Sequence, residues 1–245
     1  MEAKTRRLAR LFGTDGRCLV VAMDHAGFMD KPQHGLEQPE QVIRRVVPAG
    51  ADAFLLTLGS AQRCVDAIGR AGVWLSVDVR PPLLERIVEI ALQIGADGIK
   101  CMVYPWCAEV PDSLINFSAL AAECLKWGIP LMAEVIPGGF SAGSEGRTPE
   151  KIAAGARVAM EAGADVIKTF YTGDAESFHL ITQNCSVPII VLGGERVDND
   201  QDLLLNVRGA LAAGAAGVAI GRNIWGHPQP EQITQLIATE IHSRV

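Results

Sequence analysis

The sequence predicts an α/β protein, a closed (β/α)8 TIM barrel with a short N-terminal helix, on three observations. The 245 residues are close to the length such a barrel needs, roughly 250. A Gly-Ala motif recurs as GADAF from Gly50, GADGIK from Gly95, GADVIK from Gly163 and GAAGVAIG from Gly214. Eight short apolar runs alternate with helix-length stretches along the chain.

Residues 5–12 read as a helix able to plug the bottom of the barrel. The strands follow as 18–23, 53–58, 73–77, 98–103, 130–135, 166–170, 187–192 and 217–220. In each Gly-Ala repeat a helix stops at a glycine, which takes the left-handed conformation cheaply, and a buried strand begins at once. Pro130 and Pro188 lie at or near strand starts, where a missing N–H is tolerated. Segments such as 82–94, 149–162 and 200–213 supply helices between strands. A doubly wound dinucleotide sheet is disfavoured, because AMDHAG stands where G-x-G-x-x-G would follow the first strand. No Pro/Ser-rich linker divides the chain, so residues 1–245 are expected to form one domain.

Hydrophobic residues at 49% and charged residues at 20% exclude disorder and coiled coil. A net charge of −6 lacks the electrostatic footprint of a nucleic-acid binder. Charged residues interrupt every apolar run before the roughly 20 residues that a membrane span needs. The start, MEAKTRRLARLFGTDGR, is basic without an apolar core after it, so a cytoplasmic protein is expected. The six cysteines show neither disulfide nor zinc-ligand spacing and read as buried reduced thiols. Neither a metal nor a cofactor is expected.

Chemistry in such a barrel sits at the C-terminal ends of the strands. There the apolar runs carry Asp24 and His25, Asp78 and Arg80, Lys100, Glu134, and Lys168. The seventh runs into Gly193-Gly194-Glu195-Arg196 and the eighth into Gly221-Arg222-Asn223. Lys100 and Lys168 hold the same place in two repeats, on alternate strands whose side chains share an interior layer. Glu134 comes from the strand between them. A structural ion-pair network is one reading. The other is Schiff-base chemistry, since burial and a neighbouring cation both favour the free amine that attacks a ketone. On that reading one lysine is the nucleophile, the other the neighbouring cation, and Glu134 the proton carrier. Gly193 and Gly194 let backbone approach a phosphate, and Arg222 adds a charge-assisted donor. Asp24 reads as an acid/base group, a hydroxyl partner or an anchor for a lysine. His25 reads first as a hydrogen-bonded loop residue. Segment 137–147 is either a lid carrying Arg147 toward a second anionic group or a surface loop.

AMDH at Ala22, GADVIKTFYTGD at Gly163, VLGGER at Val191 and GVAIGRNIW at Gly217 resemble the class I aldolases of the archaeal fructose-bisphosphate aldolase type. That superfamily also holds tagatose-bisphosphate and deoxyribose-phosphate aldolases and the autoinducer-2 aldolase/thiolase. The resemblance implies that Lys168 is the Schiff-base lysine and Asp24 an active-site carboxylate. It implies Gly193, Gly194, Gly221 and Arg222 as a phosphate cradle, and a homo-oligomer. The archaeal enzymes carry a catalytic tyrosine after strand 5, where this chain has Ile136. Glu134 with Lys100 instead resembles the tagatose-bisphosphate and sulfosugar aldolases. A metal-independent aldolase acting on a phosphorylated ketose or related keto-compound is therefore expected. Thiolase-like acyl transfer and a phosphosugar isomerase or epimerase without a covalent step are the alternatives.

Overall fold

Eight parallel strands pair in chain order, and the first pairs with the last, so the sheet closes with no free edge. They are β1 (Cys18–Ala22), β2 (Ala53–Leu56), β3 (Gly72–Val77), β4 (Gly98–Val103), β5 (Leu131–Val135), β6 (Val166–Thr169), β7 (Ile189–Leu192) and β8 (Gly217–Ile220). This computed structural model describes residues 2–78, 84–197 and 199–243. The helices are α1 (Glu2–Leu11), α2 (Pro39–Val46), α3 (Leu58–Arg63), α4 (Val65–Ile68), α5 (Leu84–Gln93) and α6 (Ser113–Trp127). They continue with α7 (Pro149–Glu161), α8 (Ala175–Gln183), α9 (Asp200–Ala212), α10 (Arg222–Trp225) and α11 (Pro230–His242).

The expected (β/α)8 barrel is therefore present, with small corrections at its boundaries. The second strand ends at Leu56 rather than at residue 58, because the Thr57 hydroxyl accepts from Ser60 N and starts α3. The seventh begins only at Ile189, after Pro188. The predicted helix over 82–94 is described from Leu84 onward; residues 82 and 83, like Arg80, lie outside the described residues.

Strand periodicity sorts the apolar residues into two cores. Outward-facing side chains such as Phe54, Ile99, Ile167 and Val218 pack under the helices. Inward-facing ones, among them Val20, Leu55, Trp74, Met132, Val166 and Ile190, fill the barrel itself. The indole of Trp74 occupies so much of that interior that a Cβ on Gly98 would lie 2.3 Å from its ring. This is the physical reason for the second Gly in GADGIK. At the bottom, Leu8, Leu11 and Phe12 join the inner core, so α1 plugs the barrel as the sequence implied.

The aspartate of the GAD repeats has a separate task. Asp52, Asp97 and Asp165 accept from the backbone N–H of Leu19, Val73 and Leu131, at or beside the first residue of the neighbouring strand. Each also meets a cation at the bottom: His242 for Asp52, Arg10 for Asp97 and Lys4 for Asp165. All six cysteines are buried, and among the described residues none is in a disulfide. Among the described residues no helix is long and apolar enough to cross a membrane.

Candidate active site

Above the Trp74 layer the inward positions turn from apolar to charged. Four ionisable side chains from four strands form one buried row. Asp24 and Glu134 carry the acids, Lys100 and Lys168 the bases, and all four are under a tenth exposed. Glu134 bridges the lysines, with one oxygen 2.6 Å from Lys100 Nζ and the other 2.8 Å from Lys168 Nζ. Lys100 Nζ also lies 3.0 Å from Asp24. Glu134 is level with Lys168 and Met102 in the strand register, whereas Lys100 is level with Ser76 and Met132. The offset follows from strand tilt in a closed barrel, which carries β6 past β4 and brings both amines to one carboxylate.

The expected Lys–Glu–Lys row is thus one residue longer. It runs Asp24, Lys100, Glu134, Lys168 and carries two negative and two positive charges. The contacts of Asp24 with Lys100 and Ser76 fit the reading of an anchor for a lysine. The expectation that Lys100 acts as a bare cation beside Lys168 changes accordingly. Its charge is matched by two carboxylates, so it clamps the acids in place.

Burial pushes the Glu134 carboxyl up, but the ammonium groups of Lys100 and Lys168 outweigh it and hold it below its ordinary value. Asp24 is likewise penalised by burial and still lowered to about 2, by Lys100, by Lys168 and by the Ser76 hydroxyl. Burial disfavours the charge on Lys100, yet Glu134 and Asp24 overcome this and raise its pKa. Ser76, which the motifs did not single out, donates to Asp24 Oδ2 at 2.7 Å and accepts from Lys100 Nζ at 3.2 Å. Its signal was the strand period, since residues 74, 76 and 78 share the inner side.

The row forms the floor of a cavity of about 750 Å³ at the C-terminal ends of the strands. All eight residues singled out from the sequence as catalytic or phosphate-binding line it: Asp24, Lys100, Glu134, Lys168, Gly193, Gly194, Gly221 and Arg222. Asp78 lines it too. A side chain at Gly221 would strike Ala22 O and His25 Cε1, each 2.7 Å from its Cβ, so only glycine leaves this side open. Gly194, at φ 65, makes the turn after β7 in a conformation that favours glycine. The N–H of Gly193 donates to Ala219 O, so this glycine offers close approach and not a free donor. Arg222 donates to Gly194 O at 2.8 Å, while its buried Nε has no partner among the described residues. Asn223, named at the end of the eighth strand without a role, donates to Gly193 O and Glu195 O and accepts from Val197 N, which fixes the loop after β7. Arg196 instead lines a separate cleft with Glu37, Arg45 and Trp225.

His25 is more than a loop residue. It opens a short 3-10 turn (His25–Gly27), lines the cavity between Phe28 and Trp225, and sits 3.7 Å from Asp24 Oδ1. Burial pushes its pKa down, against the pull of Asp24, which favours the neutral ring. Segment 137–147 contains 3-10 structure (Phe140–Arg147) that covers one side of the mouth, with Phe140 and Arg147 in the cavity wall. Among the described residues, no three His, Cys, Asp or Glu side chains converge as metal ligands.

Comparisons with known proteins agree with this geometry. Residues 18–227 match the model of the DeoC/LacD family aldolases. The 2-amino-3,7-dideoxy-D-threo-hept-6-ulosonate synthase of Halobacterium salinarum is 34% identical over 98% of this chain and 91% of its own length. The class 1 fructose-bisphosphate aldolase of Thermoproteus tenax is 30% identical over 90% of this chain and 88% of its own. A solved Schiff-base-forming fructose-1,6-bisphosphate aldolase shares the fold at a TM-score of 0.84 and 28% identity, covering 98% of this chain and all of that one (100%). Another, an archaeal enzyme with its catalytic lysine bound to the carbinolamine intermediate, gives 0.83 at 27% identity over 97% of this chain and 99% of that one. The chain belongs to the DeoC/LacD aldolase family: it is an aldolase, a lyase that makes and breaks carbon–carbon bonds.

Proposed function

We propose that Lys168 forms the Schiff base and that the substrate is a phosphorylated ketose or related keto-compound, held by its phosphate between the ends of β7 and β8. The observation that carries the assignment is the unequal partnership of the two lysines. Among the described residues Lys100 is held by Glu134, Asp24 and Ser76, whereas Lys168 has the single carboxylate of Glu134. Lys168 is the amine that can leave its partner and attack.

The row supplies the protons. The Lys168 ammonium passes a proton to Glu134, and the free amine adds to the ketone carbon to give a carbinolamine. Glu134 returns the proton to the departing hydroxyl, water leaves, and the iminium carries the charge that the ammonium carried before. The row therefore stays neutral throughout, which suits a buried site. Glu134, ionised again, takes the proton from the hydroxyl next to the scissile bond. That bond breaks, its electrons pass into the iminium as an enamine, and an aldehyde departs. Protonation of the enamine carbon and hydrolysis of the imine release the second product. Asp24, kept ionised by Lys100 and Ser76, accepts from a substrate hydroxyl. Gly194, Gly221 and Arg222 form the phosphate cradle, with Gly193 giving close approach.

The reading extends to the whole chain as one domain, active in the cytoplasm as a homo-oligomer. Six buried cysteines outside any disulfide fit a reducing compartment. The test is borohydride reduction in the presence of phosphorylated ketoses, followed by peptide mass mapping. A substrate-sized adduct on Lys168, absent in Lys168→Ala together with turnover, is expected. An adduct on Lys100 reverses the two lysines, and none on either with an active substrate removes the covalent mechanism.

A further inference from the structure

The phosphate cradle and Lys168 fix where a substrate begins; the wall beyond Lys168 limits what its other half can be. From β4, β5 and β6 the inward positions above the charged row are Met102, Ile136 and Phe170, and all three line the cavity. The rim continues this character: Phe28, Met29 and Phe140 are 51%, 43% and 60% exposed. Two polar side chains on this side, Tyr104 and Arg147, are turned to the wall. Tyr104 donates its hydroxyl to Met102 Sδ at 2.8 Å, a weak acceptor, and sets its ring edge-on to Phe140. Arg147 lies with its guanidinium 4.3 Å from the centre of the Phe170 ring, which fastens the 140–147 segment over the wall.

Hydroxyl groups buried against such a wall lose water without gaining partners, at about tenfold or more in affinity for each. An apolar chain in the same place removes its own surface and that of the rim from water. We propose that the aldehyde this site releases, or joins to the enamine, has an apolar carbon chain, aliphatic or aromatic, in place of a polyhydroxylated sugar chain. In the joining direction the enamine carbon attacks the aldehyde carbon and the carbonyl π electrons move to oxygen. That oxygen takes a proton from Glu134, and water hydrolyses the iminium to release product and free Lys168. The inference rests on the Schiff-base reading above.

Two measurements on the intact enzyme keep the two apart, both with dihydroxyacetone phosphate as donor. Exchange of its C3 hydrogen with deuterium oxide, followed by NMR, needs no aldehyde and, where it is absent in Lys168→Ala, reads enamine formation alone. Initial rates of addition are then compared for 3-methylbutanal, phenylacetaldehyde, D-glyceraldehyde and D-glyceraldehyde 3-phosphate. The expected result is exchange, with kcat/KM for both apolar aldehydes more than about tenfold above either glyceraldehyde. Ile136→Asn should lower that ratio, because it puts an amide where the chain packs. Exchange with a smaller ratio overturns the proposal, and preference for the phosphorylated aldehyde assigns its anion to Arg147. Loss of exchange in the wild type overturns the Schiff-base reading and the proposal with it.

Discussion

Lys100 and Lys168 stand at matching places in two copies of one motif, and their neighbours give them different work. Lys100 holds two buried acids, so its removal should be felt as a loss of stability. Lys100→Met leaves Asp24 and Glu134 facing one ammonium, and breaking a buried pair in this way costs about 3–5 kcal/mol. The loss has a pH signature. Asp24 ionises in the folded protein at about 2 and ordinarily at 3.8, a difference of about 2 kcal/mol. A lowered acid stabilises the fold fully above its ordinary value, and the benefit disappears as pH falls through the folded one. Chemical unfolding should therefore separate wild type from Lys100→Met widely at neutral pH, with the gap narrowing as pH falls from 3.8 toward 2. A gap that stays constant would show that pairing of Lys100 with Asp24 is not its source.

Among the elements, the Gly-Ala repeats were read for their glycines, and the strands they announce are present. What the aspartate does was not legible, because its partner belongs to the neighbouring strand and only the register brings the two together. Helix α11 is held to the bottom of the barrel through one of these acids. His242 sits 2.8 Å from Asp15 and 3.0 Å from Asp52, at the last residue of the helix. Burial pulls the His242 pKa down, but hydrogen bonds and charge from the two acids outweigh it and raise it above 6.5. Burial lifts Asp52 as well, and the ring is partly exposed, so the net gain is about 1 kcal/mol. A raised base stabilises fully below its ordinary value, and the benefit is lost as pH climbs through the folded one. His242→Gln should accordingly be less stable than wild type below pH 6.5, with the difference fading in alkali. A difference that grows with pH would contradict the clamp.

At the scale of the whole molecule, the barrel was legible because each strand announces itself as an apolar run between helical stretches. Charged residues inside such runs are conspicuous, which is why Lys100, Glu134 and Lys168 could be found. Ser76, Tyr104 and Asn223 are ordinary residues whose place depends on register, tilt and loop path, and a sequence carries those only weakly. The same geometry separates the two ends of the barrel. The charged row opens to the cavity at one end, and Leu8 and Leu11 of α1, with Phe12 just after it, close the other against the inner core. Leu11 is fully buried (0% exposed), so Leu11→Ala removes apolar contact and leaves a void at the plug. Such a change costs about 2–5 kcal/mol, a large part of the roughly 5–15 kcal/mol that holds a domain folded. Its effect should be global, because a closed sheet has no edge at which the bottom can open alone. Urea unfolding should show the midpoint falling with the slope unchanged, while KM and kcat of the folded fraction stay near wild type. A loss of kcat/KM without a fall in the midpoint would mean that the plug shapes the charged row through the Trp74 layer, and the two ends would then be coupled.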